Sequence, residues 1–203
     1  MKIICIGRNY TDHINELENE KPSSPVIFLK PDSALLPKNQ VFFIPPFSNN
    51  VHFELEVVVK INRLGKFIHQ KHAHKYYDEI GLGLDMTARD LQHELKSKGL
   101  PWEKAKAFDG SAVLGKEWIN KNKIDINQLN FHLYKNEQLV QKGNTQMMLW
   151  KIDELIAYVS QYFTLKIGDL IFTGTPAGVG QVTEGDQLKG FIENKAILQL
   201  NIK

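Results

Sequence analysis

A chain of 203 residues, 42% hydrophobic and 24% charged, can bury one substantial core and is expected to form a single domain over residues 1–203. Its formal charge is +2, and the densest basic stretch, residues 60–75, has no base-stacking aromatic pattern, so no nucleic-acid partner is expected. Lone Cys5 leaves no intrachain disulfide and no Cys-rich zinc site; with neither a leader pattern nor a run of ~20 apolar residues, the expectation is a cytoplasmic protein without a membrane partner.

Residues 2–6 read as a short strand, in which Ile3, Ile4 and Ile6 around Cys5 favour a buried thiol over a nucleophile. After the loop Gly7-Arg8-Asn9-Tyr10, residues 11–20 are polar and weakly helical. Ile14 and Leu17 are their only sizeable apolar side chains, so a mobile lid is expected there. Strands are expected at 25–29, 41–44 and 51–59, with Pro45-Pro46 breaking the chain before the third. Residues 76–84 mix a short helix with an extended piece at 81–84. The spacing predicts a helix over 87–98, capped by Thr87 or Asp85 and ended by Gly99 and Pro101. Its apolar pair is Leu91 and Leu95; Arg89, Gln92, His93 and Lys96 form a polar stripe of the kind solvent usually covers. Residues 130–134 and 138–141 flank a hairpin tip at 135–137, and Ile152, Leu155, Ile156, Val159 and Phe163 recur at helical spacing. From 165 onward, strands are punctuated by Gly168-Asp169 and Gly185-Asp186. This order gives an α+β, β-rich fold rather than a doubly wound sheet.

The most informative stretch is Val51-His52-Phe53-Glu54-Leu55-Glu56-Val57-Val58-Val59. In a strand, Phe53, Leu55, Val57 and Val59 take one face while His52, Glu54 and Glu56 take the other, with the two Glu Cα atoms roughly 6.7 Å apart. Two carboxylates that close call for solvent, a proton or a shared cation, and in a concave site a hard divalent metal fits. The exposed face of an antiparallel strand would carry the same pattern. Asp85, where an extended piece meets a helix, is the best third ligand and equally an ordinary helix cap. His13 and Glu16, at i and i+3, form either a dyad in which the carboxylate orients the imidazole or a surface ion pair. The Gly-rich loop 173–180 has neither dinucleotide-binding nor Walker A spacing.

Beginning from Asp85-Met86-Thr87-Ala88-Arg89-Asp90-Leu91-Gln92, the chain resembles the fumarylacetoacetate hydrolase superfamily. The likeness continues through Cys5 to Tyr10 with His13 and Glu16, Phe28-Leu29-Lys30-Pro31, Lys98 to Trp102, Ala105-Lys106, and Thr173-Gly174-Thr175-Pro176 with Gly178-Val179-Gly180. Several of these motifs look most like the small acylpyruvase and oxaloacetate decarboxylase branch. The resemblance implies a single catalytic domain folded as a β-roll with a few peripheral helices, usually a homodimer. It implies Mg²⁺ (or Mn²⁺) on Glu54, Glu56 and Asp85, and substrate contacts from Arg8, Arg89, Gln92 and the Thr175 hydroxyl. His13, Glu16 and Lys106 would be catalytic, and Gly174 and Gly178 would permit close approach to substrate. Where many relatives carry a Cys-Pro pair beyond Lys106, this chain reads Ala107-Phe108-Asp109-Gly110-Ser111-Ala112-Val113.

The activity so implied is metal-dependent carbon–carbon bond cleavage in a small 2-keto acid, as acylpyruvate hydrolase or oxaloacetate decarboxylase. His13 with Glu16 would activate water, and Lys106 would stabilise the enolate. An isomerase or hydratase of 2-hydroxy-dienoates on the same fold, and a non-catalytic metal-stabilised binding protein, are the competing readings.

Overall fold

The computed structural model describes residues 1–16 and 20–203, so Leu17 and part of the expected lid lie outside the described residues. The largest sheet has seven strands. Six follow the order Val26–Lys30, Ile3–Gly7, Leu170–Phe172, Leu55–Ile61, Tyr77–Asp85 and Ala112–Leu114, and Ile119–Asn120 pairs with the first part of Tyr77–Asp85. The ladder is antiparallel except where Ile3–Gly7 meets Leu170–Phe172. A second sheet is built from Gln138–Asn144, Asn130–Lys135, Gln187–Ile192 and Lys195–Asn201, and a small third one from Gly180–Gln181, Val51–Phe53 and Thr87–Ala88.

Alternation explains where the core sits. Val57 and Val59 with Leu82 and Leu84 turn one face of the large sheet toward Phe131, Leu133, Leu188 and Leu198 of the second sheet, forming the main core. On the opposite face, Val58 packs with Ile3, Cys5, Leu170 and Phe172 in a smaller cluster. The helix Ile152–Tyr162 closes the main core with Ile152, Leu155, Ile156 and Val159, a burial of ~6–12 kcal/mol before entropy is counted. Cys5 is fully buried, as its apolar neighbours predict. This β-rich architecture with few helices matches the fold class expected from the sequence.

Several elements differ from the sequence reading. Residues 41–44 form only a single bridge, Phe42 to Ile202, because Pro45 and Pro46 follow at once. Residues 77–85 are one strand after a short 3-10 turn. The hairpin tip is the two-residue turn Asn136-Glu137, both at positive φ. The helix expected over 87–98 spans Arg89–Ser97 with no side-chain cap, since Thr87–Ala88 is strand. Its amphipathicity is inverted: Arg89 and Gln92 are buried, Leu91 and Leu95 only half-buried, and His93 is exposed. Among the described residues no helix is long and apolar enough to cross a membrane.

Candidate active site

The site is created by register. Glu56 lies opposite Gly83, and the Asp85 N–H donates to the Glu54 carbonyl at 2.9 Å, so Glu54 and Asp85 are cross-strand neighbours with Glu56 two residues along the same face. Gly83 has a steric reason: a Cβ there would sit 2.5 Å from the Phe172 ring and 2.9 Å from the Val113 carbonyl. The strand expected over 51–59 breaks at Glu54 into Val51–Phe53 and Leu55–Ile61, which belong to different sheets. Alternation survives the break, and Glu54 and Glu56 still share a face. All three carboxylates are buried, and one oxygen from each lies within 4.8 Å of the others.

Three cations answer them. Lys106 Nζ donates to Glu54 Oε2 and Asp85 Oδ2, both at 2.8 Å, and to Thr87 Oγ1 at 2.6 Å, which uses every ammonium hydrogen. Arg89 donates through Nη2 to Glu54 Oε1 at 2.5 Å and through Nη1 to Gln92 Oε1 at 2.6 Å. Its fork is therefore engaged within the protein, and Gln92, which also lines the cavity, has its amide nitrogen left over from this pair. Buried Lys30 places Nζ 2.8 Å from Asp85 Oδ1 and donates to Ser111 Oγ at 3.0 Å and to the Lys106 carbonyl.

The carboxyls respond unequally. Burial would raise Glu54, but Lys106 and Arg89 outweigh it and hold the carboxyl well below the usual carboxylate range. Glu56 accepts from the Gly174 N–H at 2.7 Å and carries no ammonium or guanidinium; burial first, then Asp85 and Glu54, push it well above its ordinary value. For Lys106, burial opposes the charge, while Asp85 and Glu54 more than restore it.

A divalent cation fits this donor set. Asp85 Oδ1 is buried and accepts no aligned hydrogen bond despite the nearby Lys30, and among the described residues Glu56 makes no ion pair, Lys106 offsetting its charge only in small part. With one oxygen from each carboxylate within 4.8 Å of the others, the three lie close enough to share one hard cation. Glu54, Glu56 and Asp85 could hold such an ion.

Above the carboxylates, the cavity is small, about 40 Å³, and is lined by all ten residues singled out from the sequence except Glu16. His13 is buried, and its Nδ1 lies 3.1 Å from Glu16 Oε2; Glu16 Oε1 in turn accepts from the Gly178 N–H at 3.0 Å. Burial dominates the His13 imidazole and lowers its pKa despite Glu54 and Glu16. Arg8 lines the cavity from a left-handed conformation, φ 59°. Gly174 and Gly178 also pack tightly within the protein. A Cβ at Gly174 would meet Asn9, and one at Gly178 would collide with the Val140 carbonyl. The Thr175 hydroxyl is likewise committed, donating to the Leu55 carbonyl at 2.8 Å.

Two cations carried no role in the sequence reading. Lys30 shares its strand face with Phe28, which packs against the inner cluster, while Leu29 points outward; alternation could have marked it as buried. Lys96 lines the cavity one helical turn beyond Gln92, and burial followed by Arg8, Arg89 and Lys106 lowers it to about 8.

Buried carboxylates able to take a divalent cation, with arginine, lysine and a histidine lining the same cavity, have the make-up of an enzyme active site. The comparisons agree. Residues 2–202 match the fumarylacetoacetate (FAA) hydrolase C-terminal family model, and the chain belongs to that family. It is 40% identical over 202 residues to the mitochondrial oxaloacetate tautomerase FAHD1 of Bos taurus, covering 99% of this chain and 91% of the relative. To the oxaloacetate tautomerase YcgM of Escherichia coli K12 it is 41% identical over 189 residues, 92% of this chain and 86% of the relative. The fold also superposes on a Pseudomonas aeruginosa fumarylpyruvate hydrolase in complex with Mn²⁺ and pyruvate, with TM-score 0.93 and 32% identity, over 100% of this chain and 89% of that one.

Proposed function

We propose that this chain is a divalent-metal-dependent enzyme that works through the enolate of a small 2-keto acid, with enol–keto interconversion of oxaloacetate as its principal reaction. The observation that carries the reading is a small cavity in which a ring of cations faces three buried carboxylates, with the His13 imidazole, held neutral by burial, on its wall. Relatives named oxaloacetate tautomerase, alike over nearly the whole chain, support the choice.

When bound on Glu54, Glu56 and Asp85, a divalent cation supplies Lewis-acid polarisation of the 2-keto and neighbouring carboxylate oxygens. Arg8 and Lys96 attract the substrate carboxylates, and the Gln92 amide donates to an oxygen. With Nδ1–H of His13 given to Glu16, the imidazole lone pair rests on Nε2, which carries the proton to and from C3. Lys106, kept charged by Glu54 and Asp85, offsets negative charge at the 2-oxygen as the enolate forms. The helix Thr11–Glu16 turns its own His13 and Ile14 inward, so that this segment keeps bulk water out.

Cleavage of an acylpyruvate is the second reading, favoured by the likeness to the fumarylpyruvate hydrolase. It passes through the same enolate and needs one water, which His13 would deprotonate. Steady-state rates in excess Mn²⁺ on enol-oxaloacetate, acetylpyruvate and fumarylpyruvate separate the two. Fastest decay of the enol absorbance, slowed ~10²–10⁴-fold by His13→Ala, is expected; turnover of none of the three would refute both readings.

A further inference from the structure

The frame that holds the carboxylates has a gap, and one side chain from the opposite sheet fills it. Where the chain breaks between Val51–Phe53 and Leu55–Ile61, the Leu55 N–H donates to Gln141 Oε1 at 2.9 Å. The Gln141 amide nitrogen donates to Thr175 Oγ1 at 2.8 Å and to the Pro176 carbonyl at 2.9 Å. Thr175 closes the ring by donating to the Leu55 carbonyl. Gln141 is 1% exposed and belongs to Gln138–Asn144, where the register slips between Leu139 and Gln141. The residue at that slip, Val140, presents the carbonyl against which Gly178 packs, and the Gly178 N–H holds Glu16. One irregularity in one hairpin therefore meets the carboxylate strand, the Thr175 loop and the seat of the lid.

The chemistry of the position is demanding. A glutamine accepts at one atom and donates twice at the other. Glutamate can accept from Leu55 but cannot donate to Pro176, asparagine is one methylene too short, and methionine matches the volume while doing neither.

We propose that Gln141 is a positioning residue: it fixes Glu54 relative to the Thr175 loop and the docked lid, so that carboxylates, loop and His13–Glu16 pair hold one geometry. Its value to metal binding and turnover rests on the functional reading above, whereas its hold on the Leu55 amide does not.

The test compares wild type with Gln141→Met and Gln141→Glu. Amide hydrogen exchange is followed in chelator, Mn²⁺ affinity by calorimetry, and kcat and KM on oxaloacetate. In Gln141→Met, the Leu55 amide should exchange at least ~10-fold faster while amides of Ile3–Gly7 are unchanged, and Mn²⁺ should bind ~10–100-fold more weakly, the range for losing an outer partner of a metal ligand. Gln141→Glu, which keeps the acceptor, should restore Leu55 protection but not KM, and it carries the test if the methionine variant does not fold. Unchanged Leu55 exchange overturns the proposal. Faster exchange with unaltered Mn²⁺ affinity and KM also overturns it, leaving Gln141 a purely structural residue. If wild type binds no Mn²⁺ and turns over nothing, the functional reading falls, and the local exchange pattern alone decides whether Gln141 holds the frame.

Discussion

Replacing Lys106 with methionine removes the ammonium that binds Glu54 and Asp85 at 2.8 Å each, in a site where both carboxylates are buried. Methionine roughly fills the volume of the aliphatic stem, so the loss is chiefly electrostatic. Breaking a buried pair by deleting one partner costs ~3–5 kcal/mol. For a protein of this size each kcal/mol moves Tm by ~2–4 °C, so metal-free Lys106→Met should melt ~6–20 °C below wild type. In excess Mn²⁺ the deficit should shrink, because a cation bound by the same carboxylates replaces the missing charge and binds only the folded state. It should also shrink on acidification. Glu54 is held low by Lys106 and Arg89, so the stability this pairing contributes is present above the usual carboxylate range and disappears as pH falls toward the folded-state value. The assay is thermal unfolding of both proteins at pH 7 in chelator and in Mn²⁺, repeated at about pH 3.5, below the ordinary glutamate value of 4.5. A Tm difference under ~2 °C in chelator, or one equally large in Mn²⁺, would refute the account of Lys106 as countercharge to the carboxylates.

Three other outcomes follow from the geometry. His13→Ala should lower kcat by ~10²–10⁴-fold with secondary structure intact by circular dichroism, and the wild-type acid limb of kcat/KM should fall below the ordinary histidine pKa of 6.5, because burial depresses the His13 value. Burial and the neighbouring cations Arg8, Arg89 and Lys106 lower Lys96 to about 8, so KM for a dicarboxylate should rise as pH climbs through that region and the ammonium is lost; in Lys96→Met, KM should be raised throughout and that limb absent from the pH profile. Gly83→Ala drives a methyl into the Phe172 ring and toward the Val113 carbonyl, so chemical denaturation should show a loss of ~1–3 kcal/mol.

How far the sequence could be read differs from element to element, for physical reasons. Two-residue periodicity located Glu54 and Glu56 on one face because side-chain alternation persists through a local break; the break itself was hidden, since the Leu55 N–H is satisfied by Gln141, 86 positions away. The helix Arg89–Ser97 misled in the opposite sense. Its leucines suggest an inward face, yet the charge of Glu54 draws Arg89 into the interior and Gln92 follows it. Lys30 could be placed inside by alternation with Phe28, but its partners, Asp85, Lys106 and Ser111, come from later segments that only the folded sheet brings together. The family motifs supplied what periodicity could not: that Asp85 and Lys106 belong beside the glutamates. The reaction was the least legible part, because enolate formation serves tautomerisation and cleavage alike.

The central claim is that Glu54, Glu56 and Asp85 form a divalent-cation site. Calorimetric titration of Mn²⁺ into chelator-treated wild type and into the Glu54→Gln, Glu56→Gln double variant tests it directly. Glutamine keeps the size of each side chain while removing two of the three negative charges. One Mn²⁺ bound per wild-type chain, and none by the variant, is the result predicted. No binding by wild type, or equal affinity in the variant, would contradict it.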